Sequence, residues 1–306
     1  MDKIKIYKYL NEKNDRKFIH HFGTGNGFYS ELNSLLFSVL FCLQNKLRLE
    51  LYSKDAYFTF GNGWNEFFES FCPEFKNDFI GRKIARDYIS SNRPGKNICY
   101  LYKFLTNNIL LNDTYWYCRS GWFEHNHFYI PELEIDGDLR QAMKVIIPIV
   151  YRFNLEYKTI IQKEKDKIGL PNEYIGLHVR AGDKKTEREL IIPQNYLETA
   201  KKTTKCKHVF LSTDDYRIYE QLRDTNPDYI FYTTTSPEEK GYDQNVAVHS
   251  SNGHIRRNLI ELFTSIDIFL HSKLFVGTYS SNPGLFIGMQ IDDRMVGMDY
   301  DRWLIL

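Results

Sequence analysis

Residues 174–184 read YIGLHVRAGDK, and this stretch decides how the chain is interpreted. Its first six residues predict a buried strand, and charged side chains follow at once. Ionised groups beside a core cost free energy unless they are paired, so this strand end is either braced by ion pairs or functional. Arg180 offers a planar, always charged fork that can bind phosphate oxygens in a bidentate manner, and Asp183 could hold that fork in position.

The second half of the chain alternates strands with helices. The pattern predicts strands at 174–179, 208–212, 229–232 and 274–276, and helices at 193–204, 216–223, 255–270 and 283–290. Repeated strand–helix units predict an α/β class with a parallel sheet, and ligands of such sheets bind beyond the carboxyl ends of the strands. We therefore expect the binding site where the charged and hydroxyl residues follow these strands.

Two more of the predicted strand ends carry polar residues. STDD at 212–215 follows one strand, and one of its two acids is expected to cap the next helix while the other faces the cleft. GTYSSNP at 277–283 follows another strand and opens a helix. Hydroxyl groups and backbone N–H groups at a helix start form a natural phosphate site, and capping by Ser281 or Asn282 is compatible with that role.

The first half of the chain is predicted to contain strands at 17–22 and 47–52 and a helix at 31–44. The turn GTGNG at 23–27 lacks the GxGxxG spacing, so a dinucleotide site is not supported there. Asp138 is expected to cap one long helix from about 139 to 167, in which Pro148 is a candidate for a kink. The polar tail of that helix predicts a boundary between domains at 1–168 and 169–306.

The composition excludes several classes of protein. Forty Lys and Arg face 39 Asp and Glu, so the chain as a whole has no field that attracts nucleic acid or an anionic membrane. The five cysteines are scattered and lack metal-ligand spacing, which predicts free thiols in a reducing compartment. The sequence has neither an apolar leader nor about 18 uninterrupted apolar residues. These observations predict a soluble, cytoplasmic protein.

Three stretches together resemble one family of enzymes. HVRAGDK at 178–184, STDD at 212–215 and GTYSSNPGLFIGMQ at 277–290 occur in the order of the H-x-R-x-x-D, T-D-D and T-x-S-S motifs of fucosyltransferases. The chain resembles the α1,6-fucosyltransferase group, within the set that includes α1,2- and protein O-fucosyltransferases. The likeness covers about 175–290 and, more faintly, GTGNGFYSELN at 23–33. Ala181 stands where the family commonly has a second arginine.

The resemblance implies a GT-B-type fold of two facing Rossmann-like domains, with the nucleotide site in the C-terminal domain. It implies an inverting transfer of fucose from GDP-fucose to a glycan acceptor, without a metal or other cofactor. The N-terminal domain would lie on the acceptor side, where Trp64, Trp116 and Trp122 are candidate contacts.

The resemblance also implies roles for individual residues. The donor would be bound by Gly25, Asn26, His178, Arg180, Asp214, Ser280 and Ser281, with Arg180 on the β-phosphate. The catalytic residues would be Arg180, Asp183 and a carboxylate, either Glu187 or Glu189, and Lys184 would lie on the acceptor side. Thr186-Glu187 echoes the family pair, which favours Glu187. Either Glu261 or Asp267 would read guanine, because a carboxylate can accept from two guanine N–H donors.

Other functions remain compatible with these motifs. Phosphate-binding motifs do not contact the sugar, so a transferase for another GDP- or nucleotide-linked sugar is one alternative. A catalytically inactive carbohydrate- or nucleotide-binding relative is a second. A kinase fits poorly because the chain has no GxxxxGK[ST] loop.

Overall fold

The computed structural model describes residues 2–23, 25–84, 93–119, 121–180, 191–241 and 249–303, with residues 93 and 94 described by their backbone. The chain divides into two compact units, and the division falls between Tyr157 and Lys158. This point lies within the helix Leu155–Ile168, at whose end the sequence predicts the domain boundary. The five cysteines are free thiols.

The first unit contains a parallel three-stranded sheet. Its strands are β1 (Lys17–His21), β2 (Arg48–Tyr52) and β3 (Ile109–Leu110), in the order β2-β1-β3. A separate antiparallel pair consists of β4 (Phe128–Ile130) and β5 (Ile135–Gly137). The helices are α1 (Lys3–Glu12), α2 (Phe28–Gln44), α3 (Asp78–Gly81), α4 (Arg93–Thr106), α5 (Leu111–Arg119), α6 (Trp122–His125) and α7 (Leu139–Val150). Short 3₁₀ helices lie at Gly63–Glu66 and Pro131–Leu133.

The prediction of one long helix from 139 to 167 is wrong. Asp138 does cap α7, because its Oδ1 accepts from the N–H of Gln141 at 3.0 Å. However, α7 ends at Val150, and a separate helix, α8 (Leu155–Ile168), follows. The intervening backbone pairs with distant residues instead: the N–H of Glu69 donates to the carbonyl of Arg152 at 2.8 Å, and the N–H of Asn154 donates to that of Phe67 at 2.9 Å. These long-range bonds replace helical ones and break the helix.

The second unit contains a parallel five-stranded sheet. Its strands are β6 (Ile175–Val179), β7 (His208–Thr213), β8 (Ile230–Tyr232), β9 (Leu274–Gly277) and β10 (Met295–Gly297). The helices that follow α8 are α9 (Pro193–Thr203), α10 (Tyr216–Thr225), α11 (Asn252–His271) and α12 (Asn282–Ile291), and a 3₁₀ turn spans Asp292–Arg294. The predicted parallel α/β architecture is confirmed. Strand β10 was not predicted.

The strand order β8-β7-β6-β9-β10 has a direct consequence for ligand binding. Numbered from the start of this unit, the order is 3-2-1-4-5, in which the chain moves outward from β6 first on one side and then on the other. In doubly wound sheets the crevice for ligands opens at this reversal, outside the carboxyl ends of the two central strands. Here those ends belong to β6 and β9. No helix in the described part of the chain combines the length and apolar character required to cross a membrane.

The turn from β9 into α12 is packed so closely that it requires glycine at one position. A Cβ on Gly284 would lie 2.0 Å from the carbonyl oxygen of Thr278, which is backbone and cannot rotate away. Gly253, in the first turn of α11, has open space at the corresponding point. The two glycines therefore form a matched pair.

We expect Gly284→Ala to lower the free energy of unfolding by about 1–3 kcal/mol, because the added methyl group must displace backbone. Gly253→Ala should instead be neutral or stabilise by up to about 1 kcal/mol, since alanine is the better helix former. Urea unfolding of both variants measures the difference. Equal stabilities of the two variants would contradict the close approach of Gly284 to Thr278.

Candidate functional site

The register of the sheet brings three strand ends to one edge. His178 is paired with Ser212 and Val179 with Thr213, whereas Leu177 is paired with Val276 of β9. The residues that come next in the chain, Arg180, Asp214 and the turn after Gly277, therefore start at nearly the same level. The described parts of the three stretches that sequence analysis selected, 178–180, 212–215 and 277–290, therefore begin at the carboxyl edge of the sheet, at the reversal of strand order.

His178 is a buried, neutral imidazole at this edge. Burial first, and the neighbouring charge of Arg180 second, lower the pKa of His178 to about 3. Its ring lies 5.9 Å from the ring of Phe269, and its Nδ1 is buried with no hydrogen-bond partner among the described residues. A neutral imidazole presents one donor and one acceptor, so His178 can bind a polar ligand without adding charge to the site.

Arg180 is the last residue that the structure describes before residues 181–190. It lies half-buried immediately after β6. Four other residues that the sequence selects, Asp183, Lys184, Glu187 and Glu189, fall within 181–190, outside the described residues. Their roles stay predictions.

The two acids after β7 differ in their contacts. Asp215 caps α10: its Oδ1 accepts from the N–H of Arg217 at 3.1 Å, and its carboxylate also binds the guanidinium of that residue. The prediction that one acid of the pair caps the helix is confirmed. Asp214 has its backbone carbonyl bonded to the N–H of Gly241 at 2.7 Å. Its charge helps to raise the pKa of Glu239, so Asp214 lies beside that carboxyl group.

The turn between β9 and α12 is already satisfied internally at several points. The hydroxyl of Ser281 accepts from the N–H of Gly284 at 3.0 Å and donates to the carbonyl of Thr278 at 2.9 Å. The backbone N–H groups of Tyr279 and Ser280 donate to the carboxylate of Asp299, at 2.8 and 3.0 Å. Ser281 is therefore a helix cap, and a carboxylate occupies two of the amides that the sequence assigned to phosphate.

Asp299 was missed by sequence reasoning. It lies 19 and 20 positions from the amides that it binds, so no local pattern connects it to them. The Asp299 carboxylate accepts from two loop amides just before the N-cap of α12, so these amides are oriented toward a negative charge.

The two candidates for guanine recognition lie six positions apart on α11, with Glu261 in the middle of the helix and Asp267 in its last third. Burial first, and the neighbouring charge of Glu239 second, raise the pKa of Glu261 to about 8. Glu239 belongs to the segment that pairs with the end of β7, since its carbonyl accepts from the N–H of Tyr216 at 2.9 Å. Burial also raises the pKa of Glu239. Glu261 and Glu239 are therefore two mutually repelling acids beside the carboxyl edge, and they hold a proton at neutral pH.

Asp267 lies toward the other edge of the sheet. It forms an ion pair with Lys165, and its charge, after burial, raises the pKa of Tyr174 to about 12. Tyr174 directly precedes β6, so Asp267 lies near the amino ends of the strands. Only Glu261 of the two candidates is brought close to the other site residues.

The glycine-rich loop of the first unit is held by a carboxylate that the sequence did not reveal. Glu31 is 1% exposed; its Oε2 accepts from the N–H of Gly23 at 3.3 Å, and its Oε1 accepts from the side chain of Asn26 at 3.1 Å. Gly23 has a φ of +127°, and a Cβ there would lie 2.6 Å from that of Ala56. Gly25 is exposed, whereas the Asn26 amide braces the loop from within. An acid in the first turn after a glycine-rich loop is the one local signal of this arrangement.

The tryptophans proposed for the acceptor differ in their accessibility. Trp64 is 2% exposed and stacks on Phe68 at 4.5 Å, so it is a core residue and its assignment to the acceptor was wrong. Trp122 packs against Phe41 at 5.7 Å. Trp116 is 69% exposed and stays available for contacts. Within the described residues, no group of three or more His, Cys, Asp or Glu side chains is arranged to hold a metal ion.

Comparisons with known proteins give a likeness in structure. No family model matches the chain, and neither does any curated protein sequence. The crystal structure of fucosyltransferase NodZ from Bradyrhizobium has 14% identity and a TM-score of 0.54 over 89% of this chain and 92% of that chain. NodZ α-1,6-fucosyltransferase soaked with GDP-fucose has 15% identity and a TM-score of 0.55 over 90% and 93%. A variant of Arabidopsis thaliana FUT1 in complex with GDP has 12% identity and a TM-score of 0.52 over 93% and 71%. At these identities the shared property is the fold.

The raised pKa of Glu261 predicts a pH dependence of stability. The carboxyl of Glu261 titrates near 8 in the folded protein against an ordinary value of 4.5. Between these values the folded state holds a proton that the unfolded state has lost, so the free energy of unfolding falls as pH rises. Glu261→Gln removes this titration, and we expect its melting temperature to exceed that of the unchanged protein by an amount that grows from pH 5 to pH 9.

Asp267→Asn on the same helix is the control, because it removes an ion pair and should give no such gain. Melting curves across the pH range compare the three proteins. A difference between Glu261→Gln and the unchanged protein that does not vary with pH would contradict a protonated Glu261.

Proposed function

We propose that this chain is a glycosyltransferase that transfers fucose from GDP-fucose to a glycan acceptor, with inversion and without a metal ion. The observation that carries the proposal is the 3-2-1-4-5 strand order, whose reversal coincides with the end of β6 at His178 and Arg180 and with the turn after β9. The order of the three motifs supports it. So does the likeness in fold to structures that their descriptions name as fucosyltransferases, one of them soaked with GDP-fucose.

In this proposal the diphosphate lies over the ends of β6 and β9. Arg180 grips the β-phosphate with its fork, and the neutral His178 beside it offers a hydrogen bond to the nucleotide. The N-terminus of α12, which begins at Asn282, contributes the positive end of its helix dipole. In this proposal the second unit binds GDP, and the first unit supplies Gly25 and Asn26 to the donor and binds the acceptor.

The proposed reaction is a single displacement. An acceptor hydroxyl oxygen attacks the anomeric carbon of fucose from the face opposite GDP, and the bond from that carbon to the β-phosphate oxygen breaks. GDP leaves with the bonding electrons, and the hydroxyl proton passes to Glu187 or Glu189. Arg180 stabilises the charge that grows on the β-phosphate, a role that fixed protein donors perform as well as a metal ion.

Guanine recognition is assigned to Glu261 in this proposal. An ionised carboxylate accepts from N1–H and from the exocyclic amine of guanine, which no other common base presents together. Glu261 holds a proton in the free protein, so binding must release it, and GDP affinity should increase as pH approaches 8.

We predict that Glu261→Gln weakens GDP about 10- to 100-fold, since hydrogen bonds to a charged acceptor contribute about 1.5–3 kcal/mol. It should leave UDP binding unchanged, so the preference for GDP disappears. Asp267→Asn should keep that preference. Calorimetric titrations near pH 8 measure each affinity. Equal binding of GDP and UDP by the unchanged protein would rule out guanine recognition, whereas an intact preference in Glu261→Gln would rule out only this residue.

Arg180→Ala should lower the turnover rate about 10²–10³-fold, because its contact with the β-phosphate strengthens in the transition state. Arg180→Lys should restore little, since a point charge does not reproduce the fork. Arg223→Ala, which removes an exposed arginine paired with Asp224, is the control and should be fully active. A transfer assay with GDP-fucose in the presence of EDTA measures all four proteins.

Three outcomes would count against the proposed function. A folded and fully active Arg180→Ala protein would exclude the proposed role of the strand end. Loss of transfer in EDTA with recovery in Mg²⁺ or Mn²⁺ would exclude a reaction without metal. Tight GDP binding with no transfer of any sugar would favour an inactive relative that kept the fold.

A further inference from the structure

Helix α4 is apolar on two opposite sides. Its inner side packs through Cys99, which is 4% exposed, and through Tyr102, whose ring lies 6.2 Å from that of Phe75. Its outer side presents four large hydrophobic side chains to solvent: Tyr100 (53% exposed), Leu101 (60%), Phe104 (86%) and Leu105 (70%). These positions follow the spacing i, i+1, i+4, i+5 and so share one face of the helix. We call these four side chains the α4 outer face.

The apolar surface continues onto the next helix. The side chain of Lys103 on α4 binds that of Asp113 on α5 at 2.5 Å, so the two helices are neighbours. Trp116 follows Asp113 by three positions on the same side of α5 and is 69% exposed. An indole at the border of an apolar patch is typical of side chains that lie at a membrane–water interface.

Two lysines border this apolar surface on one side. The sequence from 93 to 119 contains four Lys and Arg and one Asp, although the whole chain has a net charge of only +1. The ammonium groups of Lys96 and Lys103 lie 5.9 and 5.6 Å from the ring centre of Tyr100, at the edge of the α4 outer face. The one acid, Asp113, is paired with Lys103. The balanced composition of the chain therefore conceals a local basic and apolar surface.

We propose that the α4 outer face binds a membrane surface that contains anionic lipid. Tyr100, Leu101, Phe104 and Leu105 enter the boundary between headgroups and acyl chains, and Lys96 and Lys103 contact the lipid phosphates. Charge complementarity favours this occupant, because an amphipathic helix with apolar residues flanked by lysines matches anionic headgroups. A second copy of the chain would bring the same cations against each other, which is repulsive. This inference does not depend on the proposed enzymatic function.

The test uses the full chain and vesicles. We expect it to sediment with vesicles of equal parts phosphatidylcholine and phosphatidylglycerol, but far less with vesicles of phosphatidylcholine alone. Phe104→Ser should reduce binding to the anionic vesicles at least about tenfold, because the deepest apolar contact is lost. Lys96→Glu should reduce it by a comparable factor, and added salt should weaken binding by the unchanged protein.

Leu155→Ser is the matched control for Phe104→Ser. Leu155 is also a large apolar side chain that is highly exposed, at 80%, but it lies on α8 and not on the α4 outer face. It should bind vesicles like the unchanged protein. Phe104 and Leu155 are exposed and Lys96 is half-buried, so circular dichroism and melting temperature should show that the variants fold.

Two results would overturn the proposal. One is unchanged vesicle behaviour where a difference is expected: the folded, unchanged protein does not bind anionic vesicles, or the Phe104→Ser protein binds them as well as the unchanged protein does. The other is a dimer in light scattering that Phe104→Ser converts to a monomer, together with no vesicle binding, since the face would then belong to a second copy.

Discussion

Strand β6 pairs with β7 on one side and with β9 on the other, and both pairings are parallel. Because parallel strands end at the same edge, this register gathers side chains that lie about 100 positions apart in the sequence, from Arg180 to the turn that contains Ser280. The connection from β6 to β7 and the later return to β9 leave the crevice open between these strands. Every assignment of a binding role in the second unit depends on that arrangement.

Desolvation then gives the residues at this edge their chemical character. Burial keeps His178 neutral and leaves a proton on the acidic pair Glu239 and Glu261. The site therefore holds a neutral imidazole and a pair of carboxyl groups that carries a proton. Such a site can accept a charged ligand, because its ionisable groups change state when the ligand replaces their missing solvent.

The net charge of the chain does not describe how charges are arranged on its surface. Forty basic and 39 acidic residues cancel over the chain, yet the fold places two lysines beside the exposed apolar face of α4. Net charge predicts long-range attraction, whereas contact with a surface depends on which side chains share one face. The sequence argument against a membrane partner therefore holds for nonspecific attraction and not for a local site.

The sequence by itself determined the features that depend on neighbours in the chain. It predicted four of the five strands that the structure describes in the second unit and the charged end at Arg180. It also predicted the helix caps at Asp138 and Asp215, because a cap bonds within two or three positions. Only the tertiary structure decided the break between α7 and α8, the position of Glu261 beside Glu239 near the carboxyl edge of the sheet, and the carboxylates that hold the two loops, Asp299 and Glu31. Each of these rests on a partner that local periodicity does not identify, whether a distant backbone segment, the edge of a sheet or a loop amide. Long-range pairing and burial are properties of the folded chain, so they became visible only in its structure.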